Sequence, residues 1–284
     1  WMDTRAQSIC DRLNRQIGAE EIFQVAGNSL QPSYTTAKIL WYKENLPEVY
    51  KNTYKILQSN SYIAYKLTGA MTQELTQGYG LHCFDMRKGT WDEEMCGRLG
   101  IPREFLPEIC ACDEIIGTVT KEAALESGLA EGTPVAAGGL DAACGTLGAG
   151  VIHPGETQEQ GGQAGGMSIC IEEYKADPRL ILGFHVVPGK WLLQGGTTGG
   201  GGVMRWFERE FADYERLMKE QTGVSSLNQL NEIAEKTPPG CDGLVFLPYM
   251  AGERSPIWNP YAKRVFYGLD FSKTKGHMVR ACME

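Results

Sequence analysis

Glycine is concentrated in the middle of this chain, and its placement limits the folds that the chain can adopt. About half of the 35 glycines lie between residues 138 and 202, in clusters at 138–150, 161–166 and 195–202. No fixed period links the clusters, so they are neither collagen-like nor a flexible linker. Glycine between apolar strands lets the backbone come close to another group, and phosphate is the usual candidate. The pattern therefore predicts tight turns that approach a ligand.

Asp141 follows the first of these turns. Val135 to Ala137 are predicted to end a buried strand, Gly138 and Gly139 allow a tight turn, and Asp141 begins a run of small residues typical of a closely packed helix. A carboxylate in a strand–turn–helix unit is placed to meet a ligand, because loops at strand ends carry most active-site groups. The alternative is that Asp141 only caps the helix, as Asp often does. Alone, these residues favour the cap, whereas the later glycine clusters favour a site.

The two later glycine clusters are candidate anion sites. Segment 160–166 precedes a predicted strand and lacks the Gly-Lys-Ser/Thr ending of a Walker motif, and the Gly-x-Gly-x-x-Gly fingerprint is absent from the chain. This segment is either a hairpin whose amides hold a phosphate or a tight hairpin without a ligand. Gly199 to Gly202 precede an amphipathic helix, whose N-terminal amides favour an anion. The alternative there is close packing of the backbone on a neighbouring element.

Charge and cysteine usage exclude several classes of protein. The formal charge of −8 and the pI near 5.2 argue against a nucleic-acid surface. No apolar stretch approaches the ~20 residues of a membrane span, and the opening residues lead us to expect no signal peptide. The nine cysteines form no CxxC pair, and the four histidines lack zinc-type spacing. We therefore expect reduced thiols, a cytoplasmic protein and no metal site made of Cys and His.

The pattern of predicted elements changes near residue 150. The first 130 residues are mainly helical, with Asp92 and Thr120 as predicted helix caps, whereas strands dominate after residue 150. An apolar stripe from Val203 to Met218 predicts a long helix. Its aromatic residues are expected in the core: Phe207, Phe211 and Tyr214.

Two further segments carry polar residues. In the long loop 246–260, we interpret Glu253 and Arg254 as an ion pair that holds the loop in shape. At the start of the chain, Trp1, Asp3 and Arg5 could grip a carbohydrate, because aromatic rings stack on the apolar faces of sugars and carboxylates bind their hydroxyls. The alternative is a helix cap at Asp3, preceded by a packed Trp.

Taken in order, the motifs resemble those of the FGGY carbohydrate kinases, the family that includes xylulose and glycerol kinases. The resemblance runs from one end of the chain to the other, with departures at Arg264 and Cys282. The matching segments are Trp1-x-Asp-x-Arg5, Gly138-Gly-x-Asp-x-Ala143, Phe246-Leu-Pro-Tyr-x-x-Gly-Glu-Arg-x-Pro-x-Trp258, and Phe266-Tyr-Gly-Leu269 followed by His277-Met-x-x-Ala281 and Glu284.

The resemblance implies an α/β, actin-like (ribonuclease H-like) ATPase fold with two domains flanking a cleft, each incomplete in this chain. Residues 1–150 would be the C-terminal part of the first, sugar-side domain. Residues 151–284 would be the N-terminal part of the second, nucleotide-side domain. Because family motifs for phosphate and adenosine would lie outside the chain, we expect little or no kinase activity from these 284 residues alone, with unpaired sheet edges in the first domain.

The resemblance also implies ATP-dependent phosphorylation of a sugar or polyol, with Mg²⁺ accompanying the phosphates. Asp141 would be the general base that takes a proton from the substrate hydroxyl and would also contact the substrate. No nucleic-acid or membrane partner is expected, and the oligomeric state, a homodimer included, stays open. The remaining expected contacts are Trp1, Asp3 and Tyr34 with the sugar, and Gly161, Gly162, Gln163, Gly165, Gly201 and Gly202 with the nucleotide.

One mismatch keeps a second function open. The family's second phosphate loop carries a hydroxyl where this chain has Gln163-Ala164. The Gln163 amide could still donate to a phosphate, which would preserve ATP binding with altered contacts. A non-catalytic sugar- or nucleotide-binding descendant is therefore the alternative. A dinucleotide-dependent enzyme is disfavoured by the absent fingerprint.

Overall fold

The computed structural model describes residues 3–284 and divides into two compact units. The first unit comprises residues 3–158 and 168–194, and the second comprises 159–167 and 195–284. Trp1, a predicted sugar contact, lies outside the described residues. The predicted domain boundary near residue 150 stays a prediction about the whole protein.

Residues 3–150 of the first unit are mainly helical, as their sequence predicts, with three small strand pairs. β1 pairs with β4 in parallel, and two antiparallel pairs join β2 to β3 and β5 to β6. The elements are α1 (Gln7–Leu13), α2 (Ala19–Ala26), α3 (Thr35–Asn45), α4 (Pro47–Lys51), α5 (Ser59–Thr68), β1 (Thr72–Glu74), β2 (Phe84–Asp85), β3 (Thr90–Trp91), α6 (Glu93–Leu99), β4 (Glu108–Cys110), β5 (Ile115–Thr118), α7 (Lys121–Ser127), β6 (Pro134–Ala136) and α8 (Asp141–Gly148).

Local signals place several of these helix ends. The side chain of Asp92 accepts a hydrogen bond from Met95 N (2.7 Å), and Thr120 accepts one from Ala123 N (3.2 Å), so both predicted caps are confirmed. Each cap satisfies an amide that has no partner within its own helix. α5 ends where Gly69 adopts a left-handed conformation (φ +80°).

A four-stranded sheet follows, with the order β7-β8-β10-β9. Its strands are β7 (Thr157–Gly161), β8 (Gly165–Ile171), β9 (Ile181–Phe184) and β10 (Trp191–Thr197), and β9 and β10 are antiparallel. From Gly201 onward, the regular elements are helices and one antiparallel strand pair. They include α9 (Gly201–Phe211), α10 (Asp213–Thr222), α11 (Ser226–Glu235), β11 (Val245–Leu247), β12 (Val265–Tyr267) and α12 (Lys275–Met283).

Two sequence predictions about burial are wrong. The predicted helix over 203–218 is broken at Ala212 (φ −114°, ψ 41°). Phe211 and Tyr214 are 45% and 66% exposed, while Phe207 is fully buried. The break changes the direction of the chain, and Tyr214 therefore leaves the face that Phe207 occupies. The predicted buried strand before Asp141 is also mostly exposed, because β6 has only β5 as a neighbour among the described strands.

Each unit has a hydrophobic core of its own. In the first unit the core forms around Ile9, Ile22 and Phe84, and in the second around Phe207, Leu230 and Val279. Burial of such side chains is the main stabilising contribution to each unit. Among residues 3–284, no helix combines the length and the apolar character needed to cross a bilayer.

Candidate active site

Asp141 is the first residue of α8 and its side chain is exposed. The N-cap is Leu140, without a side-chain cap, so the alternative of Asp141 as the N-cap is not what the structure has. Its Oδ1 accepts a hydrogen bond from Ala142 N (2.8 Å). The turn before it needs both glycines: Gly138 has φ +82°, and a β-carbon on Gly139 would lie 2.6 Å from Val186 Cγ1. The carboxylate is thus presented to solvent from a tightly built turn.

A buried 3₁₀ helix, Leu75–Gly80, joins the Asp141 turn to Tyr34 within the first unit. Thr76 Oγ1 accepts a hydrogen bond from Leu140 N (2.7 Å), and the Tyr79 ring packs edge-on against the Tyr34 ring at 5.5 Å. Sequence reasoning missed this helix, because its contacts are with residues distant along the chain. The cluster of polar residues at 72–77 was the available signal.

Tyr34 lies just before α3 and is only 4% exposed. Its ring also lies 5.6 Å from the His82 ring. In the described structure this side chain packs inside the first unit. Its predicted contact with a sugar stays a prediction.

Asp3 lies in a small cavity that contains aromatic and cationic groups. Its carboxylate accepts hydrogen bonds from Arg5 N (3.1 Å) and Arg5 Nε (2.9 Å), which lower the pKa of Asp3. It does not cap α1, whose N-cap is Ala6. The cavity, of about 240 Å³, is lined by Asp3, Arg5, Ala6, Pro32, Lys38, Trp41 and Tyr42.

Lys38 and Trp41, which also line this cavity, are not among the site residues predicted from the sequence. The Arg5 guanidinium lies 5.0 Å from the centre of the Trp41 ring, an arrangement typical of cation–π contacts. Lys38 and Trp41 are three residues apart on α3, a spacing that places both side chains on one helix face. That spacing is the signal that could have identified them.

In the second unit, the glycines before α9 pack closely on the hairpin 161–165. Gly200 N and Gly202 N donate to Gln163 O (3.1 and 3.2 Å), and Gly201 N donates to Gly162 O (2.7 Å). A β-carbon on Gly201 would lie 2.7 Å from Gly162 O. Close packing, the alternative left open above, is therefore what these glycines make possible. Their amides are occupied by carbonyl oxygens of the chain.

The hairpin itself keeps one open face. Gly162 N donates to Ala164 O (2.9 Å), which closes the hairpin, and the Gln163 side chain packs against Gly202. A β-carbon on Gly161 would meet no atom within 4 Å, whereas one on Gly165 would lie 3.1 Å from Thr197 Cγ2. The predicted contacts of these residues with a nucleotide stay predictions.

Glu253 shapes the long loop that follows β11. Its carboxylate accepts hydrogen bonds from Thr197 Oγ1 (2.7 Å), Thr198 N (3.0 Å) and Arg254 N (2.6 Å). The predicted ion pair with Arg254 is not among the ion pairs of residues 3–284; Glu253 bonds to the Arg254 backbone. These bonds connect the end of β10 to the loop.

Within residues 3–284, no group of three or more His, Cys, Asp and Glu side chains is arranged to hold a metal ion. Mg²⁺ usually keeps several waters and is bound by one or two carboxylates together with substrate phosphates. That Mg²⁺ accompanies the phosphates therefore stays a prediction.

Two family models match this chain in succession. The model for the N-terminal domain of the FGGY family of carbohydrate kinases covers residues 1–148, and the model for the C-terminal domain covers residues 170–284.

Individual relatives match along the whole chain. Xylulose kinase from Bacillus subtilis is 30% identical over 286 residues, which cover all of this chain and 55% of that protein. Gluconokinase from the same organism is 28% identical over 285 residues, covering all of this chain and 56% of the relative. The crystal structure of xylulose kinase from Rhodospirillum rubrum superposes with a TM-score of 0.83 at 30% identity, covering 99% of this chain and 55% of that one. The chain thus spans somewhat more than half the length of these relatives.

Proposed function

Because this chain belongs to the FGGY family of carbohydrate kinases, we propose that the protein transfers the γ-phosphoryl group of ATP to a hydroxyl of a sugar or polyol. The observation that carries the proposal is Asp141: an exposed carboxylate at the start of α8, on a turn that the structure holds in place. A cytoplasmic location remains a prediction, and the oligomeric state, a homodimer included, stays open.

Asp141 would act as the general base. Its carboxylate takes the proton of the substrate hydroxyl as the hydroxyl oxygen bonds to the γ-phosphorus. The bond from that phosphorus to the bridging oxygen of ADP breaks, which gives a phosphorylated sugar and ADP. Phosphoryl transfer depends mainly on positioning and charge stabilisation, so one base with well-placed phosphate contacts is sufficient protein chemistry.

The sugar would bind in the first unit. The cavity beside Asp3 supports this, because its carboxylate and cations can bind hydroxyls and the Trp41 ring can pack on an apolar sugar face. Trp1, from the same motif as Asp3, would also contact the sugar. Tyr34 would contribute to the sugar site through its packing against Tyr79. The relatives named above make a ketopentose and a sugar acid the first substrates to test.

The ATP phosphates would contact the hairpin Gly161–Gly165 on its open side. Gly201 and Gly202 would then act by supporting that hairpin, since their amides already donate to its carbonyl groups. Mg²⁺, bound to the ATP phosphates, would neutralise their charge. Gln163 is the residue whose contribution to nucleotide affinity most needs measurement.

Replacing Asp141 with Asn tests the proposal, in the whole protein that the gene encodes. We expect kcat for sugar phosphorylation to fall by about 10²–10⁴-fold, because the amide cannot accept the hydroxyl proton. ATP affinity, measured by isothermal titration calorimetry, should stay within twofold. Asp11→Asn, which changes an exposed Asp bonded to Gln7 on α1, is the control and should keep wild-type turnover. Full activity of Asp141→Asn would overturn the assignment of the base.

A second candidate function, non-catalytic binding of a sugar or nucleotide, is favoured by Gln163-Ala164 in place of a hydroxyl. Calorimetry with ATP and a coupled ADP-release assay over a broad sugar panel separate the two. Binding without turnover on any sugar would support the second candidate and contradict the first.

A further inference from the structure

A network of hydrogen bonds, buried at Glu74 and Thr76, links α5 to the turn before Asp141. Asn60 Nδ2 donates to Glu74 Oε1 (2.9 Å), and Gln77 Nε2 donates to Asn60 Oδ1 (3.1 Å). Glu74 and Thr76 are each 1% exposed. Buried polar side chains are costly unless they are hydrogen-bonded, so this network has a strongly preferred geometry.

Each hydrogen bond between Glu74, Thr76 and Leu140 has a defined donor and acceptor. Glu74 Oε2 accepts hydrogen bonds from Thr76 N (2.6 Å) and from the Thr76 hydroxyl. The hydroxyl oxygen then accepts the N–H of Leu140 (2.7 Å). Glu74 therefore orients the lone pairs of Thr76 toward the turn.

Leu140 is held on both of its polar groups as a result. Its N–H bonds to Thr76, and its carbonyl oxygen accepts from Cys144 N (2.9 Å) in the first turn of α8. On the other side of the turn, Gly138 N donates to Cys112 O (3.0 Å). The Thr76 hydroxyl therefore bonds to the residue that directly precedes Asp141.

We propose that Thr76, oriented by Glu74, is a positioning residue that sets where the Asp141 carboxylate meets the substrate hydroxyl. The inference rests on the proposed role of Asp141 as the base. Without the hydroxyl, the N–H of Leu140 loses its acceptor and the start of α8 can shift. A displacement of about 1 Å at a reacting group can cost about 10²-fold in rate.

The test compares Thr76→Val and Thr76→Ser in the whole protein. Thr76→Val keeps the shape and removes the hydroxyl, and we expect kcat to fall by about 10–100-fold with KM for ATP and sugar within twofold. Thr76→Ser keeps the hydroxyl and should stay within threefold of wild type. Thr120→Val, which removes the hydroxyl that caps α7, is the matched control and should keep wild-type kcat.

Three results would overturn the proposal. One is wild-type kcat in Thr76→Val. Another is a Thr76→Ser variant as slow as Thr76→Val. The third is loss of the folded first unit, by circular dichroism, in both Thr76→Val and a second hydroxyl-free variant, Thr76→Ala, because the role would then be structural.

The double variant Thr76→Val with Asp141→Asn separates this inference from the proposed function. If Thr76 acts through Asp141, adding Thr76→Val to Asp141→Asn should lower the residual rate by less than twofold. Full activity of Asp141→Asn alone would remove the proposed function itself. An inactive Asp141→Asn with an unimpaired Thr76→Val would overturn only the positioning role.

Discussion

His82 is a fully buried titratable side chain in the first unit, and its ring lies 5.6 Å from the Tyr34 ring. Its backbone N–H donates to Thr36 Oγ1 (2.7 Å), and its ring Nδ1 lies 3.2 Å from the same oxygen. Burial lowers the pKa of His82 to about 4, against a weaker opposing hydrogen bond to the Ser29 backbone. The ring is therefore neutral at pH 7, and protonation would place a charge in the core.

The His82 pKa predicts a loss of stability in mild acid. The ordinary pKa is 6.5 and the folded value is about 4, so between these values the unfolded chain binds the extra proton. The contribution of the neutral His82 ring to the free energy of unfolding is fully present above pH 6.5. It decreases by roughly 3 kcal/mol at most as the pH falls toward 4. Urea unfolding at pH 7.5 and 5.0 measures it. His82→Gln should show a weaker pH dependence than wild type, and the exposed His153→Gln should not; equal pH dependence in all three would contradict the prediction.

The glycine run before α9 shows how an element can depend on one close contact. At this point the helix start lies directly on the hairpin backbone, and three of its amides donate to hairpin carbonyl groups. Glycine is required because no space remains for a side chain: a β-carbon on Gly200 would lie 2.6 Å from Gly165 N. The hairpin and the helix therefore form one packed piece.

Gly200→Ala should destabilise the second unit by about 1–3 kcal/mol, because the added methyl overlaps the hairpin backbone. Gly161→Ala, in the same hairpin but with open space around its Cα, should change stability by less than about 1 kcal/mol. Thermal unfolding of both variants checks this. A Gly200→Ala protein as stable as wild type would show that the contact is not needed.

For the whole molecule, the fold is the α/β, actin-like fold of the FGGY kinases, and the two units have separate cores. Side chains of α9, α11 and α12 form a core that includes Phe207, while helices α1 to α3 contribute to the core of the first unit. A unit with its own core can unfold locally, with a free energy of unfolding that differs from that of the other unit.

Phe207→Ala should therefore weaken the second unit selectively. Removing a fully buried phenyl ring costs about 3–5 kcal/mol. Hydrogen exchange measured by mass spectrometry should become faster in α9, α11 and α12 and stay unchanged in α1 and α3. Phe211→Ala, four residues later on the same helix but half exposed, is the control and should have a small effect. Equal acceleration in both units would contradict separate cores.

The features that the sequence predicted correctly depend on residues that are close together in the chain. The caps at Asp92 and Thr120 and the tight turn before Asp141 depend on residues within a few positions, so residue type alone indicated them. Family membership was equally accessible, because the ordered motifs are continuous segments of the chain. The helix break at Ala212 was not, since the apolar stripe continues across it.

By itself, therefore, the sequence determined the family, the turn and the candidate base, whereas the tertiary structure decided how that base is held. Thr76 and Leu140 are 64 residues apart, and their hydrogen bond exists only because the fold brings the 3₁₀ helix beneath the turn. The same holds for Gly200 against Ala164 and for Arg5 over Trp41. Such contacts depend on how segments that are distant in the sequence pack together, and the pattern of neighbouring residues does not show which segments will meet.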